Sequence, residues 1–72
     1  MADRVAHILK ERRIELGLTQ TQVALEIGID LQSYQKFESR KRKLENCSMR
    51  IGLQVCAALE LNPYELLFFQ HQ

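Results

Sequence analysis

Three observations predict an all-α fold of five short helices for this chain. Helix-cap signals recur along it, apolar residues fall at helical spacing, and no segment alternates like a strand. Its 72 residues make one domain over 1–72. A domain this small buries only about 60% of its unfolded surface, so it depends on close packing or on assembly. Hydrophobic residues form 46% of the chain and charged residues 26%. That composition is globular and excludes a disordered or low-complexity class.

The first helix is predicted over about residues 3–16, with Val5, Ile8, Leu9 and Leu16 on its inner stripe and Gly17 as its stop. The second begins after Thr19. Thr19 and Gln22 have capping-box spacing, and Leu18 with Val23 is placed as the hydrophobic staple. Gly28 ends this helix after little more than two turns. Asp30 caps the third helix, with Ile29 and Tyr34 as its staple, and the helix should run to Glu38 or Ser39. Ser48 caps the fourth, whose apolar positions are Met49, Leu53, Val55, Cys56 and Leu59. Asn62-Pro63-Tyr64-Glu65 supplies a cap, a first-turn proline and a capping-box glutamate, so the fifth helix begins at about Pro63.

Several classes of chemistry are excluded. Cys47 and Cys56, if on one helix, stand about 13.5 Å apart along its axis, too far for a disulfide. Their spacing matches no metal motif, and His7 and His71 lie at opposite ends of the chain. Reduced, packed thiols are expected, as suits a cytoplasmic protein. No apolar run reaches the roughly 18 residues of a membrane span, and no signal-peptide core opens the sequence. There is no nucleophile–base pair and no glycine-rich phosphate loop; Glu11, Glu15 and Glu26 read as helix-surface charges. No enzyme, metal or cofactor is expected.

Net charge is only +1, but its distribution is uneven. Residues 1–30 sum to −1 and residues 44–72 to −2. Residues 31–43 carry Lys36, Arg40, Lys41, Arg42 and Lys43 against Glu38 alone, a local balance of +4. Positive charge is thus concentrated around the third helix, where a nucleic-acid contact would need it. On that helix Tyr34 and Phe37 face inward, while Gln32, Lys36 and Ser39 share the opposite face with Gln35 and Arg40 on its flanks. Amide and ammonium groups on such a face suit the edges of adenine and guanine in a major groove. They equally suit a solvated surface.

The ordered set Leu9, Arg13, Leu16-Gly17-Leu18-Thr19-Gln20, Val23-Ala24, Gly28-Ile29, Tyr34, Phe37-Glu38, Ser48-Met49, Cys56-Ala57-Ala58-Leu59, Asn62 and Leu66-Leu67 resembles the phage-repressor and Cro (Xre-type) helix-turn-helix family. The resemblance covers residues 4–67. It implies a compact lambda-repressor-like domain with the helix-turn-helix over about 19–39. It also implies phosphate contact by Gln20, base contact by Leu31, Gln32 and Lys36, and a partly buried structural ion pair between Arg13 and Glu38. Ser33 touches a phosphate or base edge, or only supports its own helix start. Gln35, Arg40, Lys41, Arg42 and Lys43 complete the expected phosphate contacts.

Two departures stand out. The family's usual Glu-x-Gly-Lys is Glu38-Ser39-Arg40-Lys41 here, so either Arg40 takes a positive φ or the third helix ends differently. The connection from Glu38 to Ser48 is also about three residues longer than the family norm, and basic enough to act as a phosphate clamp. Leu31 either packs on a thymine methyl or turns inward.

One short recognition helix binds DNA weakly, and helix-turn-helix proteins usually pair two. Leu66, Leu67, Phe68 and Phe69 are consecutive and cannot all face one core, so they are the candidate homodimer interface. The resulting expectation is a cytoplasmic, homodimeric regulator that binds a pseudo-palindromic operator in double-stranded DNA. It would act by occupying a promoter or touching RNA polymerase, like small Cro-like repressors and restriction-modification controller proteins. The alternative is a protein-interaction module, antitoxin-like or adaptor, displaying Leu31, Tyr64 and the Phe68-Phe69 tail on the same fold.

Overall fold

The computed structural model describes residues 4–67, without the Leu67 side chain. Five α-helices follow one another: α1 (Arg4–Glu15), α2 (Gln20–Ile27), α3 (Leu31–Glu38), α4 (Met49–Ala58) and α5 (Pro63–Leu67). A short 3-10 turn, Leu44–Asn46, interrupts the connection between α3 and α4. The chain is all-α, as its caps and periodicity predict.

The caps have the expected chemistry. Thr19 Oγ1 accepts from the Gln22 N–H at 3.1 Å while Gln22 Oε1 accepts from the Thr19 N–H at 2.8 Å. This reciprocal box satisfies two donors left over at the start of α2. Asp30 Oδ2 accepts from the Ser33 N–H at the start of α3, and Ser48 Oγ does the same for Ile51 at α4. Asn62 Oδ1 accepts from the Tyr64 N–H at 2.8 Å. Gly17 and Gly28 end α1 and α2 with φ of +73° and +89°, a conformation in which a Cβ would be strained.

The helices enclose one core of Val5, Leu9, Val23, Ala24, Ile27, Tyr34, Phe37, Leu44, Val55, Cys56, Leu59 and Leu66. Leu18 and Ile29, the residues preceding the α2 and α3 caps, pack partly buried against it, as staples do. α2 packs on both α3 and α4, and α1 lies against α3. Leu44, on the 3-10 turn, is an anchor that brings the long connection back to the core.

Leu66 corrects an expectation, and Met49, Leu53 and Cys47 take placements that the sequence left open. Met49 and Leu53 are 80% and 49% exposed. They lie four residues apart on a strip beside the face that α4 buries through Val55, Cys56 and Leu59, and so miss the core. Leu66 is buried inside its own protomer, which removes it from any surface available to a partner. Cys47 precedes the cap of α4, so the two cysteines do not share a helix; both thiols are free. The side chain of Leu67, and all of Phe68 and Phe69, lie outside the described residues.

Candidate nucleic-acid interface

The site is built on a polar network that begins in the core. Arg13 of α1 donates twice to Glu38 at the end of α3, at 2.8 Å from Nε and 3.2 Å from Nη2. The two side chains are only 13% and 4% exposed, so this is a largely desolvated, two-pronged pair. Tyr34 donates its hydroxyl to the same carboxylate at 2.5 Å, and Gln20 donates Nε2–H at 3.0 Å. Arg13 also donates to the Leu18 carbonyl at 2.9 Å, tying the turn before α2 into the network. Burial alone would raise the Glu38 pKa, but the hydrogen bonds from Arg13, Tyr34 and Gln20 outweigh it and hold the carboxyl below its ordinary value. Burial and the adjacent carboxylate push the Tyr34 phenol well above its ordinary value, so it stays a donor.

The network surfaces at the start of α2. Gln35 of α3 donates to Gln20 Oε1 at 3.0 Å, so Gln20 is held at both ends, by Glu38 below and Gln35 beside it. One Nε2 hydrogen of Gln20 is left for an outside acceptor. The expected phosphate contact is therefore an oriented donor.

The exposed face of α3 carries Gln32, Gln35 and Lys36, with Leu31 at its first turn, 37% exposed. Of the two placements open to Leu31, the outward one holds. Ser33 is engaged locally, its hydroxyl donating to Asp30 Oδ1 at 2.7 Å. Those hydrogen bonds, from the Ser33 hydroxyl first and its N–H second, also lower the Asp30 pKa. Ser33 thus supports its own helix start.

The basic connection is ordered by its backbone. Arg40 has φ of +72°, the left-handed value that the usual glycine would supply. This lets the N–H groups of Lys41 and Arg42 both donate to the Lys36 carbonyl, at 3.0 and 3.1 Å. The Arg42 guanidinium then lies 5.4 Å from the centroid of the Phe37 ring. Stacking uses the guanidinium face and leaves its N–H edges for other partners.

Sequence reasoning missed one participant. Lys10, Gln20, Gln32, Gln35, Lys36, Glu38, Ser39 and Lys41 line a concavity of about 620 Å³, and Lys10 reaches it from α1. The available signal was spacing: Lys10 precedes Arg13 by three residues and shares its face of the helix. Among the described residues no helix is long and apolar enough to cross a membrane, and no group of His, Cys, Asp and Glu could hold a metal ion.

Two capped helices at a glycine turn, with an exposed polar face on the second and cations beside it, define a DNA-binding helix-turn-helix domain. The model of the helix-turn-helix family matches residues 9–46, more than half of the chain. The chain belongs to this family, in its Xre/Cro-type form, a family of DNA-binding, non-enzymatic domains. No curated protein and no solved structure matches the chain.

Proposed function

We propose that this protein is a sequence-specific transcriptional regulator that binds a pseudo-palindromic operator as a homodimer. α3 enters the major groove, where Gln32 and Lys36 meet base edges and Leu31 meets a thymine methyl. Gln20, Gln35 and the segment Arg40, Lys41, Arg42 and Lys43 hold the flanking phosphates, with Ser33 at the rim. The observation that carries the reading is the exposed Gln32–Lys36 face beside a Gln20 amide already fixed by Glu38 and Gln35. Pre-positioned donors lose little freedom on binding.

Pairing rests on apolar surface near the C-terminal end. Leu67, Phe68 and Phe69 remain the proposed interface, and Leu66 is withdrawn. Exposed Met49, Leu53 and Tyr64 support the reading, since Met49 and Leu53 line one shallow groove with Pro63 at the start of α5. A symmetric dimer would set two α3 helices about 34 Å apart, one turn of DNA. Bound at a promoter in the cytoplasm, it would block or touch RNA polymerase.

Selection of bound sequences from random DNA tests the proposal. A two-fold symmetric motif is expected, and Gln32→Ala should relax preference at one base pair of each half-site by about 1–3 kcal/mol. Binding without sequence preference would overturn the reading. So would a protein that remains monomeric on its selected duplex in sedimentation. Retention of a protein ligand through Leu31 and Tyr64, unchanged by Gln32→Ala and Lys36→Ala, would favour the interaction-module alternative.

A further inference from the structure

We infer that Lys10 is a phosphate-binding residue, and that with Lys41 it forms a two-lysine clamp on one DNA backbone phosphate at the mouth of the concavity between α1 and α3. The inference rests on the DNA-binding reading and extends the contact surface onto α1, a helix outside the helix-turn-helix.

The geometry comes from the Arg13–Glu38 pair. That pair fixes where α1 crosses the end of α3. One turn back from Arg13 along α1 is Lys10, and three residues on from Glu38 is Lys41. Both line the same concavity, with Lys36 on its wall. The crossing therefore brings three lysines to one concavity, two of them from segments that are remote in sequence.

Electrostatics gives the site its preference. The one carboxylate in the lining, Glu38, already accepts from Arg13, Tyr34 and Gln20, so it is not available to neutralise the lysines. Among the described residues, the side chains of Lys10, Lys36 and Lys41 make no hydrogen bond or ion pair, although Lys36 lies within the field of the Asp30 carboxylate. Like charges gathered without an ion-pair partner repel, and an anion seated between them lowers that repulsion. The remaining lining is amide and hydroxyl, from Gln20, Gln32, Gln35 and Ser39. That supplies neutral donors for a phosphate oxygen. The mouth adjoins the α3 face that meets the bases, so the phosphate is one belonging to the duplex being read.

The test is a salt titration of binding to a short mixed-sequence duplex, followed by fluorescence anisotropy. Log affinity falls linearly with log salt, with a slope that counts the phosphates neutralised. Lys10→Gln should lower that slope by about one, so that its loss of affinity between about 50 and 200 mM salt is roughly three- to fourfold smaller than that of the unaltered protein. Lys41→Gln should do the same, and the double variant should lose little more than either single one, because the phosphate is held only when both lysines face it. Arg50→Gln makes the same charge change on α4, outside the concavity, and should leave the slope unaltered. Thermal midpoints of all variants should agree, since Lys10, Lys41 and Arg50 are exposed.

An unaltered slope for Lys10→Gln, while the parent protein binds with a steep one, would overturn the assignment and leave the DNA reading standing. Additive losses in the double variant would overturn the shared clamp. An equal effect of Arg50→Gln would reduce Lys10 to bulk charge. Failure of the parent protein to bind any duplex would remove the DNA reading, and this inference with it.

Discussion

The first three helices and the last two are held by different means. In α1–α3 the ties are short-range caps and one buried polar cluster, with Glu38 accepting from Arg13, Tyr34 and Gln20. α4 and α5 have caps too, but their long-range polar ties come from arginines of α1 that reach across to helix ends. Arg12 Nε donates to the Leu59 carbonyl at 3.0 Å, and Arg4 Nη1 donates to the Leu66 carbonyl at 3.3 Å. Both cations sit where the carbonyl ends of helices are negative. The reading face is thus held by polar bonds among its own helices, while the C-terminal pair shares the apolar core and takes its long-range polar ties from α1. A face that must hold amides in register gains from the first arrangement; helices that contribute mainly apolar packing tolerate the second.

Removing Arg13 should break this comparison most severely. Arg13→Ala strands the Glu38 carboxylate, 4% exposed, without its charged partner. Loss of one member of a buried pair costs about 3–5 kcal/mol, a large share of the roughly 5–15 kcal/mol that stabilises a typical domain. Urea denaturation measures it. A loss under about 1 kcal/mol would show that the pair is effectively solvated and that the N-terminal half is not centred on it.

The same carboxylate should give the domain its acid sensitivity. The folded-state pKa of Glu38 lies below its unfolded value, so in that window the unfolded chain binds more protons. The stabilisation is present above the unfolded pKa of about 4.3 and is lost as pH falls through the lower folded value. Denaturation midpoints should therefore decline below about pH 4.3, and Glu38→Gln should flatten the decline while lowering stability at neutral pH. An unchanged acid slope in that variant would assign the sensitivity to other carboxylates.

Arg12→Ala probes the other half. It removes one hydrogen bond to a helix-end carbonyl and a favourable charge, together worth about 1 kcal/mol. Its 3.6 Å contact with Glu60, which is 69% exposed, adds little. Hydrogen exchange should quicken in the last turn of α4 while α2 and α3 amides keep their protection. Equal loss across all helices would mean that the two halves open as one unit.

Legibility in the sequence divides along the same line. The α2–α3 unit was readable almost to the residue because its determinants are local: Thr19 with Gln22, Asp30 with Ser33, and glycine at 17 and 28. The Arg13–Glu38 pair was legible only through the family resemblance, since nothing in spacing pairs residues 25 apart. The exposure of Met49 and Leu53 was not legible, because a short helix with apolar residues on more than one strip does not say which strip faces inward. Leu66 was misplaced for a related reason: four consecutive apolar residues show that some must be exposed, not which. Spacing puts Lys10 on the face of Arg13 but does not show the concavity it lines, and Arg12 meets Leu59 only where α1 crosses α4, which periodicity within α1 cannot reveal.

The smallest expected effect is the most discriminating. Arg40 and Glu60 both adopt positive φ, at 72° and 56°, each just past the end of a helix, where glycine is usual. An L-residue there costs roughly 1–2 kcal/mol. Glycine removes that strain but loosens the unfolded chain by about 0.4–1 kcal/mol, so the net gain for Arg40→Gly and Glu60→Gly should lie between about 0 and 1.6 kcal/mol each, centred under 1. Their effects on DNA should part company. Glu60→Gly lies behind α4 and should leave affinity unaltered. Arg40→Gly keeps the backbone turn that presents Lys41 and Arg42 but deletes a cation, so it should bind more weakly while melting higher. A melting temperature that falls on Arg40→Gly would show that the arginine side chain, and not the turn it occupies, holds the end of α3. Affinity left unchanged would take Arg40 out of the phosphate contacts and leave the clamp to Lys41, Arg42 and Lys43.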